Sequence, residues 1–161
     1  MNKLIATIGV PASGKSVWAL REKIANSIEV VERDMLRKQY YDQGEKWSKE
    51  LEKKVTDQQS RLIAAYLNSG KDVIVSDTNI NSKTRQRLKS LVRNCGAHYE
   101  EKLFRIDLET AKKRNKNREG WKVVQIMSWI TCILLLLNSS HNNMSQIRPS
   151  LLLMFSIWMV V

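Results

Sequence analysis

Residues 9–16 read Gly-Val-Pro-Ala-Ser-Gly-Lys-Ser, which fits G-x-x-x-x-G-K-[ST], and they follow directly on the apolar run of residues 4–8. This combination predicts a phosphate cradle. Gly9 and Gly14 let the chain fold back with its amide N–H groups pointing inward at a polyanion. Lys15 adds a point charge for the β- and γ-phosphates, and the Ser16 hydroxyl suits a Mg²⁺ ion. A helix beginning at Ser16 would aim its positive dipole end at the same place. The nucleotide-contacting set expected from the pattern is Gly9, Ala12, Ser13, Gly14, Lys15, Ser16 and Val17. A glycine-containing strand-to-helix turn that binds nothing is the plain alternative, and the strand–loop–helix context argues against it.

Three further groups carry chemistry. Asp34 follows a short β-branched run, and a carboxylate there could accept the proton of an attacking hydroxyl or cap the helix expected over residues 35–41. Arg37 lies one helical turn on, so both side chains could face one cleft, unless Arg37 is a solvated helix charge. The run Asp77-Thr78-Asn79-Ile80-Asn81 is unusually polar for the exit of a strand. It offers hydrogen bonds to a sugar or phosphate of a second substrate, or support for Arg37, although turn chemistry favours the same residues. Arg114 and Arg118, four apart in a densely basic stretch, would share a helix face and could close over a nucleotide, unless the stretch is simply a basic surface helix.

These groups need a scaffold, and the hydrophobic pattern supplies one. Strands are expected over residues 4–8, 28–31, 72–77 and 98–107, the last centred on residues 103–106. Helix 1 would carry Val17, Ala19, Leu20 and Ile24 on its inner face. A long helix over residues 45–67 would bury Trp47, Leu51, Val55, Leu62 and Tyr66, with Glu and Lys filling the gaps, and would stop at Asn68-Ser69-Gly70. Asn81-Ser82 would cap a helix that buries Leu88, Leu91 and Val92 and closes at residues 94–96. The near-continuous apolar centre of residues 72–77 implies burial on both faces of a parallel sheet. Alternating strands and helices give an α/β class with a central four-stranded parallel sheet flanked by helices and right-handed crossovers. Ligands belong outside the carboxyl ends of the strands. Asp34, the Asp77 loop and the Arg114/Arg118 cluster would all leave that same side.

The chain has 161 residues and a net charge of +11. All but one of its 27 Lys and Arg, and all 16 Asp and Glu, fall in residues 1–122, which form the expected single domain. A basic balance suits a polyanionic second substrate, although it is equally compatible with a protein that meets no nucleic acid. Cys95 and Cys132 have neither disulfide nor metal-ligand spacing, so a reducing cytoplasm is expected, with no signal peptide. Residues 123–161 change character: Arg148 is their one charge, and the apolar run of residues 123–137 is shorter than the ~20 residues of a membrane span. A buried terminal helix, a membrane tail and a displaced reading frame all remain open, with membrane association disfavoured.

Four motifs together, T-I-G-V-P-A-S-G-K-S (Thr7 to Ser16), R-D-M-L-R (Arg33 to Arg37), S-D-T-N-I-N (Ser76 to Asn81) and K-R-N-K-N-R (Lys113 to Arg118), resemble the kinase domain of the phage polynucleotide 5′-kinase/3′-phosphatase family. The likeness runs from Met1 to about Trp121. It implies a P-loop NTPase fold, ATP and Mg²⁺ as cofactors, and transfer of the γ-phosphate to 5′-hydroxyl ends of RNA or DNA in an infected bacterial cytoplasm. Catalytic roles fall to Lys15, to Asp34 as base and to Arg118 at the γ-phosphate. Ser16 would hold the metal, Arg114 would lie nearer the base or phosphates of the nucleotide, and Arg37, Asp77 and Thr78 would form the acceptor site. The family's aspartate-rich phosphatase motif has no counterpart here, so phosphatase activity is not expected, and no stable protein partner is implied. A kinase of small metabolites and a nucleotide-binding remnant without activity are the rival readings.

Overall fold

The computed structural model describes residues 1–117 and Cys132. Strands β1 (Lys3–Ile8), β2 (Glu29–Val31), β3 (Val73–Val75) and β4 (His98–Leu103) form one parallel sheet in the order β2-β3-β1-β4. Helices α1 (Lys15–Asn26), α2 (Arg33–Asp42), α3 (Lys49–Asn68), α4 (Ser82–Asn94) and α5 (Leu108–Lys116) flank it. This is the expected α/β architecture.

Strand periodicity decides which helix meets which face. Leu4, Ala6, Val73 and Val75 point one way and join Leu36 of α2, Leu51, Val55, Ile63 and Leu67 of α3, and Leu88 and Val92 of α4 in the main core. Ile5 and Ile74 point the other way, onto Ala19 of α1 and Ile28. Both faces of β1 and β3 are therefore covered, which is why those strands read as unbroken apolar runs. Leu88 is fully buried in the larger cluster. Truncating it to Ala should cost about 2–5 kcal/mol, read as a lowered urea midpoint at unchanged slope.

Several sequence expectations need correction. On α1, Val17, Leu20 and Ile24 are exposed (58%, 57% and 77%), and Ala19 and the stem of Lys15 are buried instead. The inward side of α1 is formed by Lys15, Ala19 and the half-buried Trp18. The long helix begins at Lys49 behind an Ser48 cap whose hydroxyl accepts from the Leu51 amide at 3.0 Å, so Trp47 stays outside the helix and exposed. Its buried stripe is Leu51, Val55, Gln59, Ile63 and Leu67, with Leu62 and Tyr66 flanking it. β3 ends at Val75, which releases Ser76 and Asp77 into the loop.

β4 is displaced the furthest. It occupies the polar residues 98–103 rather than centring on residues 103–106, and its six residues pair in register with all of β1 from Lys3 to Ile8. A charged strand is at home on a sheet edge, where it discourages pairing with another chain. Phe104 then leaves the strand, its amide donating to Ile8 O at 2.7 Å, and its ring meets Trp18 of α1 at 5.6 Å between centroids.

Candidate active site

The site grows from the ends of β1, β2 and β3, which short backbone bonds tie together. The Ser76 amide donates to Val31 O at 3.1 Å, and the Gly9 amide donates to Thr78 O at 3.1 Å. Beneath these, the Thr7 hydroxyl donates to Asp77 O at 2.9 Å, and Asn79 Nδ2 donates to Thr7 O at 2.9 Å. Asn79 holds this position with a left-handed φ of 45°, a conformation that asparagine tolerates better than most side chains. The loop after β1 and the loop after β3 thus behave as one unit.

Within residues 9–16 the expected cradle is present. Ala12 (φ 59°) and Gly14 (φ 97°) are both left-handed, and Gly14 is the residue from which α1 starts. A β-carbon at Gly9 would lie 2.7 Å from Phe104 O and 2.9 Å from Ser13 Oγ, so the loop can pass there only as glycine. Lys15 is 7% exposed, and its ammonium donates to Gly9 O at 3.0 Å, Val10 O at 2.6 Å and Ser13 Oγ at 3.2 Å. Its charge lies across the mouth of the loop. Ser16 Oγ and Ser76 Oγ stand 3.3 Å apart. A cavity of about 460 Å³ is lined by residues 12–18 with Arg21 and Arg114, which places Val17 and Arg114 beside the loop. α5 reaches this place by packing Ala111 on Ala12. Arg118 lies outside the described residues.

Two hydroxyls and a cradle of amides fit Mg²⁺ held mainly by phosphate oxygens and water, the usual habit of that ion. Among the described residues no group of three His, Cys, Asp or Glu side chains could hold a metal by itself. Cys132 is half-buried, which pushes its thiol up, while the nearby charge of Lys15 acts in the opposite direction.

The N-terminal half of α2 carries the acceptor candidates. Asp34 does not cap the helix; its carboxylate is 70% exposed and pairs with Arg37 Nη1. Arg37, 23% exposed, turns its other two nitrogens onto Glu52 of α3, with Nε at 2.5 Å from Oε1 and Nη2 at 3.0 Å from Oε2. Arg33 Nη2 donates to the same Glu52 Oε2 at 2.7 Å and to Thr56 Oγ1 at 3.2 Å. Burial pulls the Arg37 guanidinium down, but Glu52, Asp34 and Asp77 outweigh it and hold the group above its usual value.

Asp77 anchors this turn. Its Oδ1 accepts the Arg33 amide at 2.9 Å and its Oδ2 accepts Gln59 Nε2 at 2.6 Å, while Arg87 Nη2 holds Gln59 Oε1 at 2.9 Å. Burial pushes the Asp77 carboxyl up against the lowering effect of those donors. Thr78 reaches the site through its carbonyl, which is the acceptor for Gly9. Sequence reasoning missed Glu52, Gln59 and Ser76; only Ser76 lay inside a motif that had been singled out.

Glu52 is held below the ordinary glutamate range first by its hydrogen bond with Arg37, and then, against burial, by the charges of Arg37 and Arg33. A depressed folded value means that this stabilisation is complete above the unfolded value and is lost as pH falls through the folded one. Acid unfolding of Glu52→Gln should therefore show a shallower loss of stability than the parent below the ordinary value of 4.5. Asp77 has the opposite sign.

Comparison with known proteins agrees with this geometry. The family model AAA_33, an AAA domain, matches residues 4–125. A protein assigned as a bifunctional polynucleotide kinase/RNA ligase of Autographa californica nuclear polyhedrosis virus is 27% identical over 129 residues, covering 73% of this chain and 18% of that protein. The Pnkp1/Rnl/Hen1 RNA repair complex contains a chain with a TM-score of 0.76 at 23% identity, covering 88% of this chain and 46% of that one. The APS kinase CysC of Mycobacterium tuberculosis, solved with AMPPNP and APS, matches with a TM-score of 0.57 at 19% identity over 72% of this chain and 69% of its own. The chain thus spans less than half the length of the first two of these proteins. With a parallel four-stranded sheet, a phosphate cradle behind β1 and this match over most of its length, the chain belongs to the AAA_33 family and has the fold of a P-loop kinase domain.

Proposed function

We propose that the protein transfers the γ-phosphoryl group of ATP to the 5′-hydroxyl of an RNA or DNA end. The observation that carries this reading is the Asp34–Arg37 pair near the start of α2, mounted at the same sheet end as the cradle of residues 9–16. An exposed carboxylate beside a guanidinium suits an acceptor that brings both a hydroxyl and a phosphate. Two relatives bear names that speak of polynucleotide kinase or RNA repair, which adds weight to a nucleic-acid acceptor.

In this reading the amides of residues 9–16 and the Lys15 ammonium bind the β- and γ-phosphates. Asp34 accepts the proton of the 5′-hydroxyl as its oxygen bonds to the γ-phosphorus, the bond from phosphorus to the β–γ bridging oxygen breaks in line, and ADP leaves. Mg²⁺, when bound near Ser16 and Ser76, supplies charge neutralisation of the β- and γ-oxygens. Arg37 binds an acceptor phosphate, and Arg114 and Arg118 cover the nucleotide. The setting we assign is nucleic-acid end repair in a reducing cytoplasm; among the described residues no helix is long and apolar enough to cross a membrane.

The test is label transfer from γ-labelled ATP with Mg²⁺, offering a 5′-hydroxyl oligonucleotide beside nucleosides and sugars. Label on the oligonucleotide is expected. Label on the small hydroxyl compounds alone would make this a metabolite kinase, and nucleotide binding with no transfer would leave a binding remnant.

A further inference from the structure

Arg37 is a long side chain on α2, and a guanidinium on a helix surface ordinarily samples many rotamers before it meets a ligand. Here it has no such freedom. Glu52 approaches from α3 and takes both Nε and Nη2, which fixes the plane of the fork and leaves Nη1 turned onto Asp34. The same carboxylate takes Arg33 Nη2, with Thr56 Oγ1 beside it. Glu52 is only 24% exposed, so these bonds are shielded from solvent more than surface pairs are. The cluster of Arg33, Asp34, Arg37 and Glu52 is balanced in charge, and Asp77 supports it from below through the Arg33 amide.

We propose that Glu52 is the positioning residue of the acceptor side: by holding Arg33 and Arg37 together from α3, it turns the Nη1 side of Arg37, which pairs with Asp34, toward the phosphate of the incoming strand. The inference rests on the kinase reading above and adds a residue that touches neither nucleotide nor reacting atoms. Without Glu52, Arg37 would keep its charge and lose its direction. The acceptor would then find the same groups at the wrong angles, while the cradle of residues 9–16, built on β1 and α1, would be unaffected.

Steady-state kinetics of Glu52→Gln and Glu52→Asp, varying ATP and a 5′-hydroxyl, internally phosphodiester-linked oligonucleotide separately, test this. Loss of charge-assisted bonds that orient a binding group should raise the oligonucleotide KM about tenfold or more in Glu52→Gln. The KM for ATP should stay within about twofold of the parent, and Glu52→Asp should recover part of the loss. A fluorescent ATP analogue and thermal melts check that both variants are folded and bind nucleotide. Unchanged oligonucleotide KM in a folded variant overturns the proposal while the kinase reading stands, as does a loss shared equally between the two substrates, which is the mark of a general structural role. A parent protein that labels no oligonucleotide overturns both together.

Discussion

Asp34→Asn should leave ATP affinity near the parental value and reduce phosphoryl transfer to a 5′-hydroxyl oligonucleotide by about 10²–10⁴-fold, the range of a lost general base. The substitution keeps the side chain's size and its place on the exposed first turn of α2, where the carboxylate is 70% accessible, so folding has little reason to change. What disappears is an acceptor for the hydroxyl proton and one partner of Arg37 Nη1. If the residue served only the ion pair, the effect would be that of a partly exposed salt bridge, about 0.2–1 kcal/mol, or less than tenfold. Quench-flow measurement of the transfer step, with nucleotide binding followed separately, distinguishes the two sizes of effect.

Gly9→Ala should act on the other substrate. The new methyl group would lie 2.7 Å from Phe104 O and 3.1 Å from Phe104 Cβ, and the first of these is backbone that cannot swing aside. Either the loop lifts or the end of β4 retreats. Overpacking of this kind costs about 1–3 kcal/mol. Because the strain falls on the loop whose amides form the cradle, we expect it to appear as nucleotide affinity weakened by about 10- to 100-fold, measured by titration with a fluorescent ATP analogue. The Gly9 amide is also the donor to Thr78 O, so a lifted loop loosens the clasp between the β1 and β3 ends. Gly14→Ala makes a useful contrast: nothing lies within 4 Å of its β-carbon, and its penalty comes from a left-handed φ of 97° instead.

Local chemistry explains what could be read before any coordinates were known. The cradle was legible because glycine, lysine and serine at fixed spacing have few other reasons to follow an apolar strand, and the unbroken apolar β3 announced a sheet covered on both sides. Asp34 and Arg37 were visible as a pair because they are one turn apart. Glu52 was not, since a glutamate in a helix rich in Glu and Lys looks like surface filler. Its role depends on α3 lying against α2, a contact made across 15 residues of sequence. Gln59 was hidden in the same way, as a polar residue in a buried stripe whose partner, Asp77, arrives from another loop. β4 was misplaced because hydrophobicity marks burial, and an edge strand paired along its full length with β1 needs rather little of it. α1 misled for the opposite reason: Val17, Leu20 and Ile24 form an apolar stripe that the described fold leaves uncovered.

The order of the strands separates the two halves of the chemistry. In the proposed reading most of what grips the donor sits on β1, α1 and the neighbouring end of α5, with Ser76 from the loop after β3, whereas the Asp34–Arg37 pair offered to the acceptor stands on α2 and is braced from α3. On that reading, substitutions along one helical strut would retarget what becomes phosphorylated without disturbing what supplies the phosphate.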